Sequence, residues 1–281
     1  GVGKTTIHGS EIQKIKAIIN KGEFPVTKKP VTITRMNIIP QYQKRIARGI
    51  KLKRKLKIVV DAGNGVGGKV GVDLFRAMGC EVIELYCDVD GNFPNHHPDP
   101  TLPETLKKLI STVKKEKADL GVGFDGDADR IGAVDDKGNF IAGDMLLLLF
   151  ARHILKEKKG ATIVGEVKCS RTLYDDIAKN GGNPIMWKAG HSLIKDCMAK
   201  NNALLGGEMS GHIFFKHRWY GFDCAIYAAA RLMEIVAASR RPFHKHLESL
   251  PKTFVTDEIR LETTDTKKFE IVEKATAFFQ K

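Results

Sequence analysis

The sequence predicts an α/β protein built from tandem, related α/β domains with mixed, largely parallel sheets. Three observations predict it. Apolar runs of strand length alternate with amphipathic stretches of helical length from residue 57 onward. The alternation passes through two cycles of similar order, broken near residues 156–160. Glycines punctuate the ends of the runs, as at Gly63, Gly79 and Gly181.

Taken in order, Ser10-Glu11-Ile12-Gln13 reads as a capping box and predicts a helix over residues 11–20. The turn-rich KGEFPVTKKP and a basic amphipathic stretch follow. Residues 57–61 are an apolar strand stopped by Gly63-Asn64-Gly65. Residues 66–78 have helical spacing and end at Gly79, suited to the left-handed position past a helix. A strand is expected over 81–86, then a helix capped by Thr101 and Glu104 with Leu102, Leu106, Leu109, Ile110 and Val113 on its apolar side. Strands 119–124, 131–134 and 140–142 follow, with an Asp136-Lys137-Gly138 turn, and then a helix over 145–155. The second cycle reads strand 162–166, helix 172–180, strand 184–187, helix 192–199, strands 203–207 and 213–215, and helix 222–237. Beyond Pro251 residues 254–261 alternate like a strand and 267–281 look helical.

The 281 residues allow about two well-buried domains. Hydrophobic residues make up 42% and charged residues 28%, and no apolar run approaches a membrane span. No signal peptide is visible, and the five scattered cysteines contain no CxxC pair. Reduced thiols in a cytoplasmic setting are expected, with no membrane partner.

The net charge of +13 and the stretch RIARGIKLKRKLK at 45–57 invite a nucleic-acid reading. Ile46, Ile50, Leu52 and Leu56 interleave with those charges, as in a solvated amphipathic face. A general field attracting a phosphorylated metabolite is a further option. No nucleic-acid-binding motif accompanies the charge, so no nucleic-acid partner is expected. The opening Gly3-Lys4-Thr5-Thr6 imitates the tail of a phosphate-binding P-loop. The first glycine of that motif would precede residue 1, and Gly9 separates Lys4 from the helix, so a strand end and turn fit better.

The chemistry concentrates in ADLGVGFDGDADRIGAVDD, where Asp125, Asp127 and Asp129 alternate with small residues directly after a strand. Alternate side chains of an extended segment share a side, and a tight loop can converge all three. Such carboxylates repel one another and call for a cation; hard oxygen ligands select Mg²⁺. An acidic surface hairpin is the competing explanation. A calcium loop of the EF-hand type lacks its closing Glu, since Asp136 stands there. Arg130 follows at once and suits a phosphate.

In LLGGEMSGHIFF, Glu208 and Ser210 can bond paired sugar hydroxyls and His212 can move a proton. EVKCSRTL places Lys168 and Arg171 past a strand, and WKAGHSLIK places Lys188, His191 and Ser192 at the entry to a helix. Both lie at carboxyl ends of strands, where α/β proteins bind ligands. His96 and His97 point opposite ways in an extended, Pro-flanked segment and read as part of a structured loop.

The motifs FDGDADR, GEMSGH, DVDGNFPNHHPDP, VVDAGNGVGG, MWKAGHSLIK and RWYGFDCAIYAAARLMEI together resemble the α-D-phosphohexomutase superfamily. The resemblance spans nearly the whole chain. It implies phosphohexomutase domains 2 and 3, covering residues 36–155 and 156–252, flanked by a remnant of domain 1 at 1–35 and the start of domain 4 at 253–281. It implies an intramolecular phosphotransferase interconverting hexose 1-phosphate and hexose 6-phosphate, with mannose and/or glucose, through a phosphoserine and a hexose 1,6-bisphosphate. A non-catalytic module binding metal or phosphosugar is the alternative. The serine motif Ser-His-Asn-Pro does not occur in these residues, so the chain is expected to be a fragment of an enzyme that is monomeric when intact.

Carried over by position, Asp125, Asp127 and Asp129 would bind one Mg²⁺ per active site and Arg130 would touch the transferring phosphoryl group. Glu208 and Ser210 would hold the sugar 3- and 4-hydroxyls, while Lys168, His191 and His212 would contact substrate or assist proton transfer. The resembled metal loop often has Gly where Ala128 stands; the methyl is expected to be tolerated if the backbone there does not need a positive φ.

Overall fold

A computed structural model describes residues 7, 9–24, 31–251, 261–264 and 267–280. Two compact units separate at Ser249 and Leu250. The first opens with α1 (Ser10–Lys21) and α2 (Ile39–Gly49). Gly9, not Ser10, stands at the cap of α1, and no side chain closes it, so the expected capping box does not form. The apolar residues Ile12, Ile15 and Ile19 of this helix are exposed.

The first sheet contains β1 (Lys57–Asp61), β2 (Glu81–Leu85), β3 (Leu120–Phe124), β4 (Ile131–Asp135) and β5 (Phe140–Ile141) in the order β2-β1-β3-β4-β5. β1 pairs parallel with β2 and β3, while β3–β4 and β4–β5 are antiparallel. The central strands β3 and β4 are buried throughout, as their unbroken apolar runs require. α3 (Gly67–Ala77) and α4 (Lys107–Glu116) cover this sheet, and Leu109 and Val113 of α4 pack with Val59 and Val134. α4 starts several residues later than its expected Thr101 cap, because Thr101 and Thr105 donate their hydroxyls to Asp99 instead.

The second sheet repeats the plan. β6 (Thr162–Glu166), β7 (Asn183–Trp187), β8 (Leu205–Gly207) and β9 (Ile213–Phe215) lie in the order β7-β6-β8-β9. Again the first strand pairs parallel with two neighbours and the last pair is antiparallel. α5 (Gly143–Glu157), α6 (Arg171–Lys179) and α7 (His191–Lys200) pack around it, and Ser170 caps α6 by accepting from Thr172 N–H. α8 (Ala225–Ala237) is buried along its whole length and touches strands of both sheets. It carries the fully buried Arg231, whose Nε faces Glu234 at 3.2 Å and whose guanidinium lies 4.8 Å over the Phe215 ring.

In the basic stretch at 45–57 the apolar residues turn inward, while Arg48, Lys51, Lys53 and Lys55 are exposed. Ile46, Ile50 and Leu56 are buried, Arg45 lies over Trp219 and Tyr220, and Arg54 meets Asp119 at 2.8 Å. All five cysteines are free and buried. No helix among the described residues is long and apolar enough to cross a membrane. The second unit contains α9 (Lys267–Phe279). The P-loop-like residues 1–6 and most of the expected strand 254–261 lie outside the described residues.

Candidate active site

The repeated topology places two hairpin turns in equivalent positions. The turn between β3 and β4 carries Asp125, Asp127, Asp129 and Arg130; the turn between β8 and β9 carries Glu208, Ser210 and His212. The two turns abut. Arg130 and His212 form an antiparallel bridge, and Ile131 N–H donates to the Gly211 carbonyl at 3.1 Å. Gly211 has φ 90, and a Cβ there would run into the Ile131 carbonyl, so only glycine permits this approach. On the other side of the aspartate turn, a Cβ on Gly65 would come 2.7 Å from the Gly126 carbonyl, where Val66 N–H donates.

Within the first turn the three aspartates each bring an oxygen within 4.8 Å of the others. Asp125 is buried and works as the organiser: Oδ1 accepts the N–H groups of Asp129 and Arg130, both at 3.1 Å, and Oδ2 accepts Arg130 Nε at 2.8 Å. Asp99 takes Arg130 Nη1 at 3.3 Å. Burial, reinforced by the charges of Asp125, Asp127 and Asp223 and opposed by His212, pushes the Asp129 carboxyl up to about 7. Converging carboxylates with one carboxyl pushed toward neutrality fit a hard divalent cation, which would offset their repulsion. Ala128 sits at φ 60, so the condition for costless replacement of glycine fails; its backbone is in the left-handed region.

In the second turn Glu208 is buried, and its Oε1 accepts Gly190 N–H at 2.5 Å while Oε2 faces Ser210 Oγ at 3.4 Å. Glu166 Oε1 accepts Met209 N–H at 2.7 Å and lies 3.8 Å from Lys168 Nζ, which ties Lys168 to the same turn. His191 stacks on His212 with ring centroids 5.8 Å apart. Arg171 and Lys188 face solvent, the former paired with Asp175. His96 bonds Asp61 at 3.0 Å and packs edge-on against Tyr86, as part of a structured loop.

Two residues join this constellation without having been singled out. Asp223, just before α8, lies 3.1 Å from His212 Nδ1 and accepts Lys195 Nζ at 3.1 Å. Burial alone would raise its carboxyl, but His212 and Lys195 carry it down to about 2. Burial opposes the charge on His212, yet Asp223 and Asp129 hold the imidazole above its ordinary value. Lys195 stands one helical turn from His191 on α7, and that i,i+4 spacing was a usable signal. Asp223 lies inside the motif RWYGFDCAIYAAARLMEI, but no local spacing ties it to His212; the isolated bridge between Phe214 and Asp223 brings it in.

A repeated α/β plan with a three-aspartate turn set against a Glu-Ser-His turn defines a class, and the comparisons agree with it. The family described as Phosphoglucomutase/phosphomannomutase matches twice, its alpha/beta/alpha domain II over residues 40–138 and its domain III over residues 142–254. The chain belongs to this family of α-D-phosphohexomutases. It is 49% identical over 268 residues to a phosphomannomutase/phosphoglucomutase of Pseudomonas syringae pv. tomato, covering 95% of this chain and 57% of that protein. It is 48% identical over 260 residues to a phosphoglucomutase of Neisseria meningitidis serogroup A, covering 92% of this chain and 56% of that one. A crystal structure of a phosphoglucomutase/phosphomannomutase family protein from Burkholderia thailandensis superposes with a TM-score of 0.86 at 45% identity, over 90% of this chain and 55% of that one. The chain thus spans little more than half the length of these relatives.

Proposed function

We propose that this chain supplies the metal-binding, phosphoryl-contact and sugar-recognition parts of a Mg²⁺-dependent phosphohexomutase. The reaction interconverts hexose 1-phosphate and hexose 6-phosphate, of mannose or glucose, through a phosphoserine and a hexose 1,6-bisphosphate. The observation that supports it is the direct abutment of the two turns, three aspartates and Arg130 on one beside Glu208, Ser210 and His212 on the other.

Asp125, Asp127 and Asp129 would hold Mg²⁺, which when bound offsets charge on the transferring phosphoryl group. Arg130 has Nε and Nη1 committed to Asp125 and Asp99, and presents Nη2 to a phosphoryl oxygen. Glu208 is held by Gly190 N–H so that its other oxygen and Ser210 receive the sugar 3- and 4-hydroxyls. Recognition through those hydroxyls leaves the 2-hydroxyl unread, which admits both glucose and mannose. His212, flanked by Asp129 and Asp223, is placed to hold or release a proton at a sugar hydroxyl. Lys168 and His191 line the same turn and add contacts to the anionic substrate.

The full-length protein, assayed with glucose 1-phosphate or mannose 1-phosphate, Mg²⁺ and a hexose 1,6-bisphosphate, is expected to form the 6-phosphate. Little or no turnover is expected from these 281 residues alone. Inactivity of the full-length protein toward both sugars overturns the assignment.

A further inference from the structure

We propose that Asp129, His212 and Asp223 form a second metal position, selective for a borderline cation such as Zn²⁺ and overlapping the three-aspartate site through Asp129. This goes beyond the mutase reading: the ion, the ligand set and the test are all different.

Three separate segments bring the donors together: the β3–β4 turn, the β8–β9 turn and the loop before α8. One donor atom from each residue lies within 4.8 Å of the other two. His212 Nδ1 stands 3.5 Å from Asp129 Oδ1 and 3.1 Å from Asp223 Oδ2. Tetrahedral zinc, with bonds of about 2.0–2.1 Å, sets its ligands roughly 3.3 Å apart, so these spacings need little adjustment.

An independent observation concerns the imidazole itself. Nδ1 is buried and has no aligned hydrogen-bond acceptor, although two carboxylate oxygens stand beside it. A metal at this point would take the Nδ1 lone pair and both facing carboxylate oxygens at once. Asp223 is already oriented for this. Its Oδ1 is fixed by Lys195 Nζ, which leaves Oδ2 for the ion, the arrangement in which an outer partner aims a ligand. One imidazole and two carboxylates favour Zn²⁺ over Mg²⁺, which prefers oxygen ligands and keeps its waters. Occupation would withdraw Asp129 from the three-aspartate set, so the two positions would compete.

The test is calorimetric titration of the Mg²⁺-free chain with ZnCl₂, with circular dichroism to verify folding of each variant. One Zn²⁺ is expected to bind. Asp223→Asn and His212→Asn should each weaken it by ~10-fold or more, while Asp127→Asn should leave it nearly unchanged. Co²⁺ substituted into the unaltered chain should give the intense visible absorption of a tetrahedral site with a nitrogen ligand. The proposal is overturned if no Zn²⁺ binds or if Co²⁺ shows only weak octahedral bands. It is equally overturned if the affinity follows Asp127→Asn instead of Asp223→Asn, because the ion then sits among the three aspartates. None of these readouts depends on mutase turnover, so each can fail without the other.

Discussion

Asp127 is the exposed member of the aspartate trio, and Asp125 is the buried one that shapes the loop. Removing the Asp127 charge should therefore spare the fold. Asp127→Asn is expected to weaken Mg²⁺ binding by ~10-fold or more, with the thermal midpoint of the metal-free chain unchanged or slightly raised, because one repulsive charge is gone. Calorimetry with Mg²⁺ and a thermal scan check both halves; unchanged affinity would remove Asp127 from the site. Ala128 makes a different point. Its left-handed backbone offsets what a methyl group normally contributes, so Ala128→Gly should be close to neutral. The same change at Ala151, buried inside α5, should cost about 1 kcal/mol or more. Denaturant unfolding of the two variants decides it. At this scale the alternating aspartates were legible, because spacing in a tight turn translates directly into shared direction. Asp223 was not, because its proximity to His212 depends on how the loop before α8 crosses β9.

At the scale of elements, most strands and helices follow from the apolar pattern, and the departures occur at their ends. The start of α4 was misplaced because Asp99 captures two threonine hydroxyls and holds a turn where a helix was expected. The burial of α8 has an energetic consequence, since its Arg231 is enclosed with Glu234, Tyr227 and His217. Arg231→Ala is expected to destabilise the chain by roughly 3 kcal/mol, as truncation of an enclosed, paired charge does. His217 adds a pH dependence. Burial and the nearby Arg231 push its imidazole down to about 4, so the folded state keeps it neutral while the unfolded chain binds a proton below its ordinary 6.5. The unfolded state then binds more protons as pH falls from 6.5 toward 4, and stability drops over that window. Thermal midpoints across this range should fall more steeply for the unaltered chain than for His217→Gln; parallel curves would contradict it.

For the whole molecule, the +13 charge is expected not to serve a nucleic-acid partner: Ile46, Ile50 and Leu56 of the 45–57 stretch are core, and Arg45 and Arg54 are engaged by aromatic and acidic neighbours. Gel retardation with duplex DNA or RNA should therefore show no binding at physiological salt. Mg²⁺ should stabilise the chain, since binding to the folded state adds about 2.7 kcal/mol at a hundredfold excess over the dissociation constant. A chelator should reverse that shift, and an unmoved midpoint would argue against a cation at the aspartate turn. The sequence by itself determined the repeated α/β plan, the strand and helix order, and the residue types of both turns, because these depend on local periodicity and local spacing. Only the tertiary structure decided that the turns meet. Their equivalent hairpins face one another through the Arg130–His212 bridge, across glycines whose missing side chains allow contact, and Asp223 and Lys195 enter from elements distant in the chain. No local pattern encodes such contacts, since they arise from how two separately legible sheets pack around α8.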